Sequence, residues 1–346
     1  MKSQLIADRP KLGIVIVVDQ MRADYLEEYN AYFSGGFRRM LDEGVVFQNA
    51  WVDHAYTNSL PGHTTIITGT YPRTHGVVDN VWHQPGDGKD IVRSGYSLID
   101  RSEGAPYELG ALTLPEIVLR TSPASRFAAI GSNGATRIYA GQLKGHVYWL
   151  DPQEGYITNT NYADGVAEWV EAFNQSRLAD LAATDWTSSL PNELASSLRA
   201  DNSAFENDGT DMAFPHVSPA SGSSALGWVY NTPYADQATL ELAGLVVKKL
   251  GLGDDDSPDI LAISLNSLDQ IGHAYGPFSH EMADALLRLD ASLGEFFEML
   301  DEEIGEDNWI VALSADHGAN TTPEQRRLWG SVEGRRIDEA TARDVA

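Results

Sequence analysis

Four short apolar segments constrain the fold of this chain more than any other feature of its sequence. They are Leu12 to Val18, Phe127 to Gly131, Ile260 to Leu265 and Trp309 to Leu313. None of them alternates apolar with polar residues, which is typical of strands that are covered on both faces in a parallel sheet. Amphipathic helices are predicted between them, for example at Thr239 to Leu250 and Glu281 to Leu300. This βα alternation predicts an α/β fold, a three-layer sandwich with a central, mostly parallel sheet, helices on both faces and an inserted cap region.

The size and composition of the chain predict one domain with insertions. Its 346 residues, 42% of them hydrophobic, are enough to bury a large core. We expect one α/β domain over residues 1–346, with cap-type insertions at about 81–123 and 139–233, which are rich in Gly, Ser, Asn, Asp and Trp and weakly periodic. The amino-terminal sequence shows neither a signal peptide nor a membrane span.

The negative net charge of the chain limits the kinds of molecule that it is expected to bind. The sequence has 24 Lys and Arg against 50 Asp and Glu, a net charge of −26. Such a surface repels anionic membranes and nucleic acid, so binding of nucleic-acid polymers is not expected. An anionic small-molecule substrate would need a local cation, which bound metal ions can supply. Because the chain has no Cys, any metal must be held by Asp, Glu, His and hydroxyl groups.

Three of the four predicted strands are followed by Asp residues, two of them with a nearby His. Ligands of open α/β sheets bind outside the carboxyl ends of the strands, so these side chains are placed where a ligand would bind. A lone Asp after a strand usually caps a helix, but several such groups together favour a metal site. Residues one helical turn apart can bind a single ion, whereas adjacent side chains diverge and suit two neighbouring ions. The groups are Asp19 after the first strand, Asp269 with His273 after the third, and Asp316 with His317 after the fourth.

The segment Tyr56 to Thr65 supplies a candidate nucleophile. Ser59 stands just before Pro61 and Gly62, which we expect to form a turn ahead of the helix-like run TTIITG. At a helix N-terminus, backbone N–H groups bind a phosphoryl anion, and a metal ion can activate the hydroxyl. Ser59 is therefore the candidate catalytic residue. The alternatives are that Ser59 is only a helix N-cap, or that Thr57 supplies the hydroxyl.

These motifs resemble a known family. The stretches VVDQMRADYL, TNSLPGHTTIITGTYPRTHGVVDN, HVYWLD, SLNSLDQIGHAYGP and LSADHGA stand in the order found in the nucleotide pyrophosphatase/phosphodiesterase branch of the alkaline phosphatase superfamily, and resemble most its single-chain bacterial alkaline phosphatases. The resemblance extends over essentially the whole chain. It implies a phosphoric ester hydrolase, an alkaline phosphatase or type I phosphodiesterase, that cleaves small phosphate esters through a covalent phospho-serine.

The resemblance also implies a cofactor of two zinc ions and a set of site residues. Asn80 matches the residue whose amide binds a non-bridging phosphoryl oxygen, which makes it both a catalytic and a substrate-binding candidate. Most relatives in this branch have Thr where Ser59 stands, although Ser serves in other members of the superfamily. One ion would be held by Asp19, Asp316, His317 and the Ser59 oxygen, here called the Ser59 site, and the other by Asp269 and His273, here called the Asp269 site.

Two departures from the family pattern bear on activity. The bacterial monoesterases carry a Lys-x-Arg pair where this chain reads Ser132-Asn133-Gly134, and the loss of positive charge favours diesters unless Arg137 or Lys144 substitutes as a substrate-binding residue. Relatives also supply a third His to the Asp269 site, but no His follows His317 here. We therefore expect a carboxy-terminally truncated chain that lacks roughly the last quarter of the fold and has a weak second metal site.

Other classes fit less well. A sulfatase needs Arg in its signature where His63 stands, and a cofactor-independent phosphoglycerate mutase needs an Asp-Ser nucleophile context that is missing. A catalytically silent metal-binding relative remains an alternative, although such a protein has no need of the complete set of candidate residues. The resemblance further implies a periplasmic or secreted location, and we expect a monomer. Monoester against diester preference and the leaving group stay open.

Overall fold

The computed structural model describes residues 9–85, 90–94, 109–219, 224–331, 334 and 336. Part of the predicted insertion at 81–123 and most of the end of the chain, where truncation is expected, lie outside the described residues. The strands, in chain order, are β1 (Leu12–Val18), β2 (Val81–Pro85), β3 (Asp90–Ser94), β4 (Phe127–Gly131), β5 (His146–Asp151), β6 (Gly155–Ile157), β7 (Asp259–Leu265) and β8 (Trp309–Ser314).

Helices connect these strands. The longer ones are α1 (Gly36–Glu43), α2 (Ser59–Thr68), α3 (Leu114–Thr121), α4 (Tyr234–Leu250), α5 (Ser267–Tyr275) and α6 (His280–Glu303). Within the described ranges, no helix has both the length and the apolar character needed to cross a membrane. Short helices lie at Tyr25–Glu28, Pro72–His75, Arg137–Ala140, Glu168–Phe173, Ala179–Ala182, Asn192–Ser197, Ala225–Tyr230 and Pro323–Leu328, with 3₁₀ turns at Asn30–Tyr32, Gly134–Thr136, Glu206–Gly209 and Glu306–Asn308 and a π turn at Asn174–Leu178.

The central sheet has the strand order β6-β5-β4-β7-β1-β8, while β2 and β3 form a separate antiparallel pair. β1 runs parallel to β7 on one side and to β8 on the other, and β4 runs parallel to both β5 and β7. Only β6, antiparallel to β5, departs from this direction in the central sheet as described. The four strands predicted from the sequence are confirmed, with β7 and β8 each one residue longer than predicted.

Alternate residues of the central strands pack into two separate cores. On one face of β1, Ile14 and Ile16 contact the core that includes α4 and α6. On the other face, Val17 joins a second core with Leu60 and Ile67 of α2. Because both faces of the sheet carry helices, the runs in the middle of the sheet need not alternate. The three-layer α/β prediction is confirmed.

β8 corrects the prediction that all four strands are covered on both faces. It lies at the edge of the sheet, and its residues alternate between partly buried and exposed. Ile310 is 59% exposed. The outward face of β8 therefore has no covering layer among the described residues, although its composition resembles that of a fully buried strand.

The boundaries of the predicted insertions stay a prediction. Two strands that were not predicted from the sequence lie within one of these ranges and belong to the central sheet. β5 and β6 lie within 139–233 and extend the central sheet through pairing with β4. Similarly, α3 lies within 81–123, and its Val118 and Leu119 pack against the second core. Each range thus contains segments that belong to the layers of the sandwich.

Candidate active site

The candidate metal ligands meet because β7, β1 and β8 are neighbours that run in the same direction. Their carboxyl ends are in register, with Val18 beside Leu265 and Val17 beside Ser314. Asp19 leaves β1 with its backbone N–H bonded to the Leu265 carbonyl at 2.8 Å. The chain segments after all three strands therefore start from one edge of the sheet.

The Ser59 site is assembled from two of these segments, those after β1 and β8, and from the start of α2. Asp19 Oδ1 lies 3.2 Å from His317 Nε2. The Ser59 hydroxyl oxygen lies 3.5 Å from Asp19 Oδ1 and 3.4 Å from His317 Nε2. Asp316 is fully buried and sits with its Oδ2 3.6 Å from the same His317 nitrogen. These four candidate residues are brought together.

Ser59 is not the N-cap of its helix, which corrects one alternative. Asn58 is the N-cap, because it has extended backbone angles and its Oδ1 accepts the Ser59 N–H at 3.0 Å. Ser59 is the first residue of α2, so the expected turn at Pro61 and Gly62 lies inside the helix. The hydroxyl is thus not used for capping and faces Asp19 and His317.

Gly62 allows α2 to approach the segment after β8. A Cβ atom built on Gly62 would lie 2.4 Å from the Asp316 carbonyl oxygen and 2.7 Å from the Asp316 Cβ. Any larger residue would overlap the backbone that carries a candidate ligand. The Gly62 contact therefore helps to set the distance between Ser59 and Asp316.

The Asp269 site lies on α5, beside the Ser59 site. His273 Nε2 is 3.2 Å from Asp269 Oδ1, as one helical turn of separation predicts. The Asp269 carboxylate is largely buried, whereas the side chain of His273 is 73% exposed. Ligand atoms of Asp19, Asp269 and His317 all lie within 4.8 Å of one another, so the two sites adjoin.

Gln20 links the two sites and was not identified from the sequence. Its backbone N–H donates to Asp316 Oδ1 at 3.1 Å, and its side-chain amide donates to Asp269 Oδ1 at 2.6 Å. This placement uses a left-handed backbone, with φ of 62°. Gly272 leaves room for it, because a Cβ there would lie 2.0 Å from Gln20 Oε1. The only sequence signal is the position of Gln20 immediately after Asp19.

Asn133 has a role that the sequence analysis missed. Its side-chain amide donates to Asp19 Oδ2 at 3.2 Å and to Asn266 Oδ1 at 2.7 Å, and its own Oδ1 accepts from the Ser264 hydroxyl at 3.1 Å. The place where the resembling monoesterases carry a cationic pair thus holds a neutral, buried side chain that orients a candidate metal ligand.

Asn80 lies beside the start of α2, whereas Arg137 packs over Trp149 of β5. Asn80 Oδ1 accepts the Leu60 N–H at 2.9 Å, and its amide donates to Asn58 Oδ1 at 3.2 Å. The guanidinium of Arg137 lies over the Trp149 ring, 5.0 Å from its centroid, and its Nε donates to the Gly134 carbonyl at 2.9 Å. Neither of these Arg137 contacts joins it to the metal cluster.

The electrostatics of the cluster indicate a deficit of positive charge. Burial, with the neighbouring charge of Asp19, raises the pKa of Asp316 well above its usual range. Burial also acts to raise the pKa of Asp19, but its polar and charge interactions with His317 and His63 outweigh burial and hold that pKa well below its usual range. Burial acts to lower the pKa of His317, yet its bond to Asp19 outweighs burial and raises the pKa to about 9.

The donor set fits a cation. Asp316 Oδ2 and His63 Nε2 are buried without a hydrogen-bond partner, although buried polar atoms are normally paired. Two groups of side chains within the described residues could hold a metal ion, namely Asp19, His63 and Asp316, and Asp19, Asp269 and His317. Carboxylate oxygens and imidazole nitrogens of this kind bind divalent transition metals.

The fold and the cluster together define a class. An open, mostly parallel α/β sheet that gathers buried Asp and His at the carboxyl ends of its strands, with a serine at a helix start, is an arrangement that metal-dependent hydrolases use. The particular family follows from sequence comparison: the model for type I phosphodiesterase / nucleotide pyrophosphatase matches residues 13–332, and this chain belongs to that family.

Alkaline phosphatases are among its relatives. Alkaline phosphatase PafA of Elizabethkingia meningoseptica is 34% identical over 332 residues, an alignment that covers 90% of this chain and 60% of PafA. Alkaline phosphatase PhoV of Synechococcus elongatus is 33% identical and is covered to the same extent, with 91% of this chain aligned. The crystal structure of wild-type PafA superimposes with a TM-score of 0.84 at 31% identity, covering 93% of this chain and 65% of the PafA chain. The chain thus spans 60% of the length of these curated relatives.

Proposed function

We propose that this chain catalyses zinc-dependent hydrolysis of small phosphate esters, as an alkaline phosphatase or type I phosphodiesterase, through a phospho-serine at Ser59. The observation that carries the proposal is the position of the Ser59 hydroxyl, within 3.5 Å of both Asp19 and His317. The family match over residues 13–332 and the alkaline phosphatase relatives support the same reaction class.

Each candidate residue has a part in the proposed reaction. Zinc ions, held by Asp19, Asp316 and His317 with Ser59 and by Asp269 and His273, would lower the pKa of the Ser59 hydroxyl and neutralise charge on the phosphoryl group and leaving oxygen. Ser59 gives up its proton to solvent, its oxygen attacks phosphorus, the bond to the leaving oxygen breaks, and that oxygen takes a proton from solvent to leave as the alcohol. Water then attacks phosphorus and loses a proton, the bond to Ser59 breaks, and the serine oxygen takes up a proton, which regenerates the hydroxyl and releases phosphate or, from a diester, a phosphate monoester. The amide of Asn80 would donate to a phosphoryl oxygen.

The Asn133 contacts support a preference for diesters. A monoester dianion carries more negative charge than a diester monoanion and gains more from a guanidinium or ammonium partner. Here the corresponding place holds a neutral amide that is already bonded to Asp19 and Asn266. Arg137 and Lys144 are the remaining cationic candidates. We therefore expect bis-p-nitrophenyl phosphate to be hydrolysed faster than p-nitrophenyl phosphate, and Arg137→Ala to affect only the latter.

Substitution at Ser59 tests the reaction. With zinc added, Ser59→Ala should abolish hydrolysis, Ser59→Thr should retain part of it, and Thr57→Ala, which removes the alternative hydroxyl, should leave it intact. Acid quenching followed by mass spectrometry should find the phosphoryl group on the peptide containing Ser59. Full activity of Ser59→Ala, or a phosphoryl group on Thr57, would refute the assignment.

A silent metal-binding relative is the second candidate. It is favoured by the Asp269 site, where two candidate ligands are present and one of them, His273, is mostly exposed. A protein of this kind would bind zinc but hydrolyse neither ester, and acid quenching would yield no phospho-serine. The zinc content and the two rates, measured on the same sample, separate the candidates.

We also propose that the chain acts as a monomer outside the cytoplasm. The absence of Cys is compatible with an oxidising compartment, and the net charge of −26 opposes association with polyanions. Light scattering should give the monomer mass of 37.8 kDa. A dimer mass, or recovery of the native protein in the cytoplasmic fraction, would contradict this part of the proposal.

A further inference from the structure

His63 is a buried residue of α2 to which the proposed reaction gives no part. Its side chain is completely buried. Its Nε2 atom lies 3.4 Å from Asp316 Oδ2 and 3.6 Å from Asp19 Oδ2. Its other ring nitrogen, Nδ1, lies 2.5 Å from the Tyr139 hydroxyl. The imidazole therefore stands between a buried phenol and the two carboxylates of the Ser59 site.

The hydrogen-bond partners determine which nitrogen of His63 carries the proton. Tyr139 is fully buried, and burial raises the pKa of its hydroxyl well above the usual range, so the hydroxyl keeps its proton. As metal ligands, Asp19 and Asp316 are ionised and can only accept, so the ring nitrogen that faces them, Nε2, carries the proton, and Nδ1 accepts from Tyr139. With Nδ1 accepting, the neutral imidazole carries its proton on Nε2, directed at the carboxylates.

One N–H directed between two carboxylates changes how both are oriented. The distances of 3.4 and 3.6 Å are too long for an ordinary hydrogen bond to either oxygen, so Nε2 lies between the two carboxylates and makes a longer electrostatic contact with each. With its Oδ2 facing His63 and Asn133, Asp19 presents Oδ1 to Ser59 and His317. As metal ligands both carboxylates are ionised, and the donor then reduces the repulsion between them.

We propose that His63, oriented by Tyr139, is a positioning residue that holds Asp19 and Asp316 in the arrangement in which they bind metal at the Ser59 site. The inference rests on the proposed function, because it takes these carboxylates to be metal ligands. Partners that orient metal ligands in this way typically contribute about 10- to 100-fold in metal affinity. His63 itself is not a ligand, since its Nε2 lone pair is occupied by the proton.

The test measures zinc affinity by competition with a chromophoric chelator. All variants carry Asp269→Asn, which weakens the other site and leaves the Ser59 site to be measured. His63→Ala should lower the affinity by about 10- to 100-fold. His63→Gln, whose side-chain amide reaches the position of Nε2, should restore most of the affinity. Tyr139→Phe, which keeps the shape of the side chain, should lower the affinity less than His63→Ala. His75→Gln, a substitution of another buried histidine, should leave the affinity unchanged.

The outcomes separate the inference from the proposed function. Equal zinc affinity for His63→Ala and for the Asp269→Asn parent chain would overturn the inference alone. If His63→Gln loses affinity as fully as His63→Ala, the imidazole is a ligand and the positioning role is wrong. Absence of zinc binding by the unsubstituted chain would overturn both. Urea unfolding shows whether His63→Ala folds without zinc. If it does not, the zinc affinities of His63→Gln and Tyr139→Phe test the inference instead. An undiminished affinity in Tyr139→Phe would contradict the proposed orientation of His63 by Tyr139.

Discussion

Replacing Gly62 with Ala should displace the two halves of the Ser59 site from one another. The added Cβ would lie 2.4 Å from the Asp316 carbonyl oxygen and 2.7 Å from its Cβ, whereas ordinary contacts begin at 3.4 Å. Because both contacts involve the backbone or the first side-chain atom of Asp316, no rotamer change can relieve them. α2 and the segment after β8 must therefore separate by about 1 Å.

The expected magnitudes follow from that displacement. Overpacking of a tight contact costs about 1–3 kcal/mol of the free energy of unfolding. A misplacement of about 1 Å between reacting groups costs about 100-fold in rate. Urea unfolding of the metal-free protein, zinc titration and hydrolysis of bis-p-nitrophenyl phosphate measure the three consequences separately.

Two glycines outside the site serve as controls. Gly69 ends α2 with φ of 62° and has open space around its Cβ position, so Gly69→Ala should cost about 1 kcal/mol without changing zinc affinity. Gly165 has open space and no left-handed backbone, so Gly165→Ala should be neutral. If Gly62→Ala behaves like Gly165→Ala in all three measurements, the contact with Asp316 does not set the site geometry and the reasoning is wrong.

Three further predictions concern residues around the sheet. Burial lowers the pKa of His75 to about 4, and its Nδ1 accepts the Val77 N–H. Between pH 6.5, the ordinary pKa of histidine, and pH 4, His75 is therefore protonated in the unfolded chain but not in the folded chain. As the pH is lowered between those two values, the free energy of unfolding should therefore fall by up to about 1.4 kcal/mol per pH unit. Urea unfolding of His75→Gln should show a shallower fall over the same pH range. Gln20→Ala removes the donor to Asp269 and should weaken zinc binding at the Asp269 site by about 10-fold, measured by chelator competition; an unchanged affinity would contradict the role given to Gln20. Asp290→Ala removes the carboxylate that accepts four backbone N–H groups at the start of α1 and should lower the free energy of unfolding by about 3 kcal/mol, whereas a loss below about 1 kcal/mol would show that water replaces it.

The sequence predicted the framework of the sheet because that framework depends on local composition. Each of the four apolar runs is long enough to be recognised alone, and each proved to be a strand. The edge position of β8 could not be predicted, since it depends on which other segments cover the strand. β5 was missed because its aromatic and polar residues, HVYWLD, do not form a simple aliphatic run.

The candidate ligands could be predicted, but the residues that hold them could not. Asp19, Asp269 and Asp316 each follow a strand, so the rule for strand ends locates them. Gln20, Asn133 and His63 act through contacts between segments that are distant in the chain, and no spacing in the sequence encodes those contacts. Asn133 was noticed only as the loss of a positive charge, whereas its contacts show a structural use of the same position.

The acidic character of the chain and the organisation of the site both call for added positive charge at the site. A protein with a net charge of −26 gains little long-range attraction for a phosphate ester, so attraction must arise within the site. There, Asp19 and Asp316 are buried side by side, and the raised pKa of Asp316 shows that the pair is not stable as two anions without added positive charge. Neutral donors from His63, Gln20 and Asn133 orient the carboxylates but cannot neutralise them. A divalent cation would do both, because its two charges balance those of ionised Asp19 and Asp316, so zinc binding should release the protons held by Asp316 and His317, which direct titration can count.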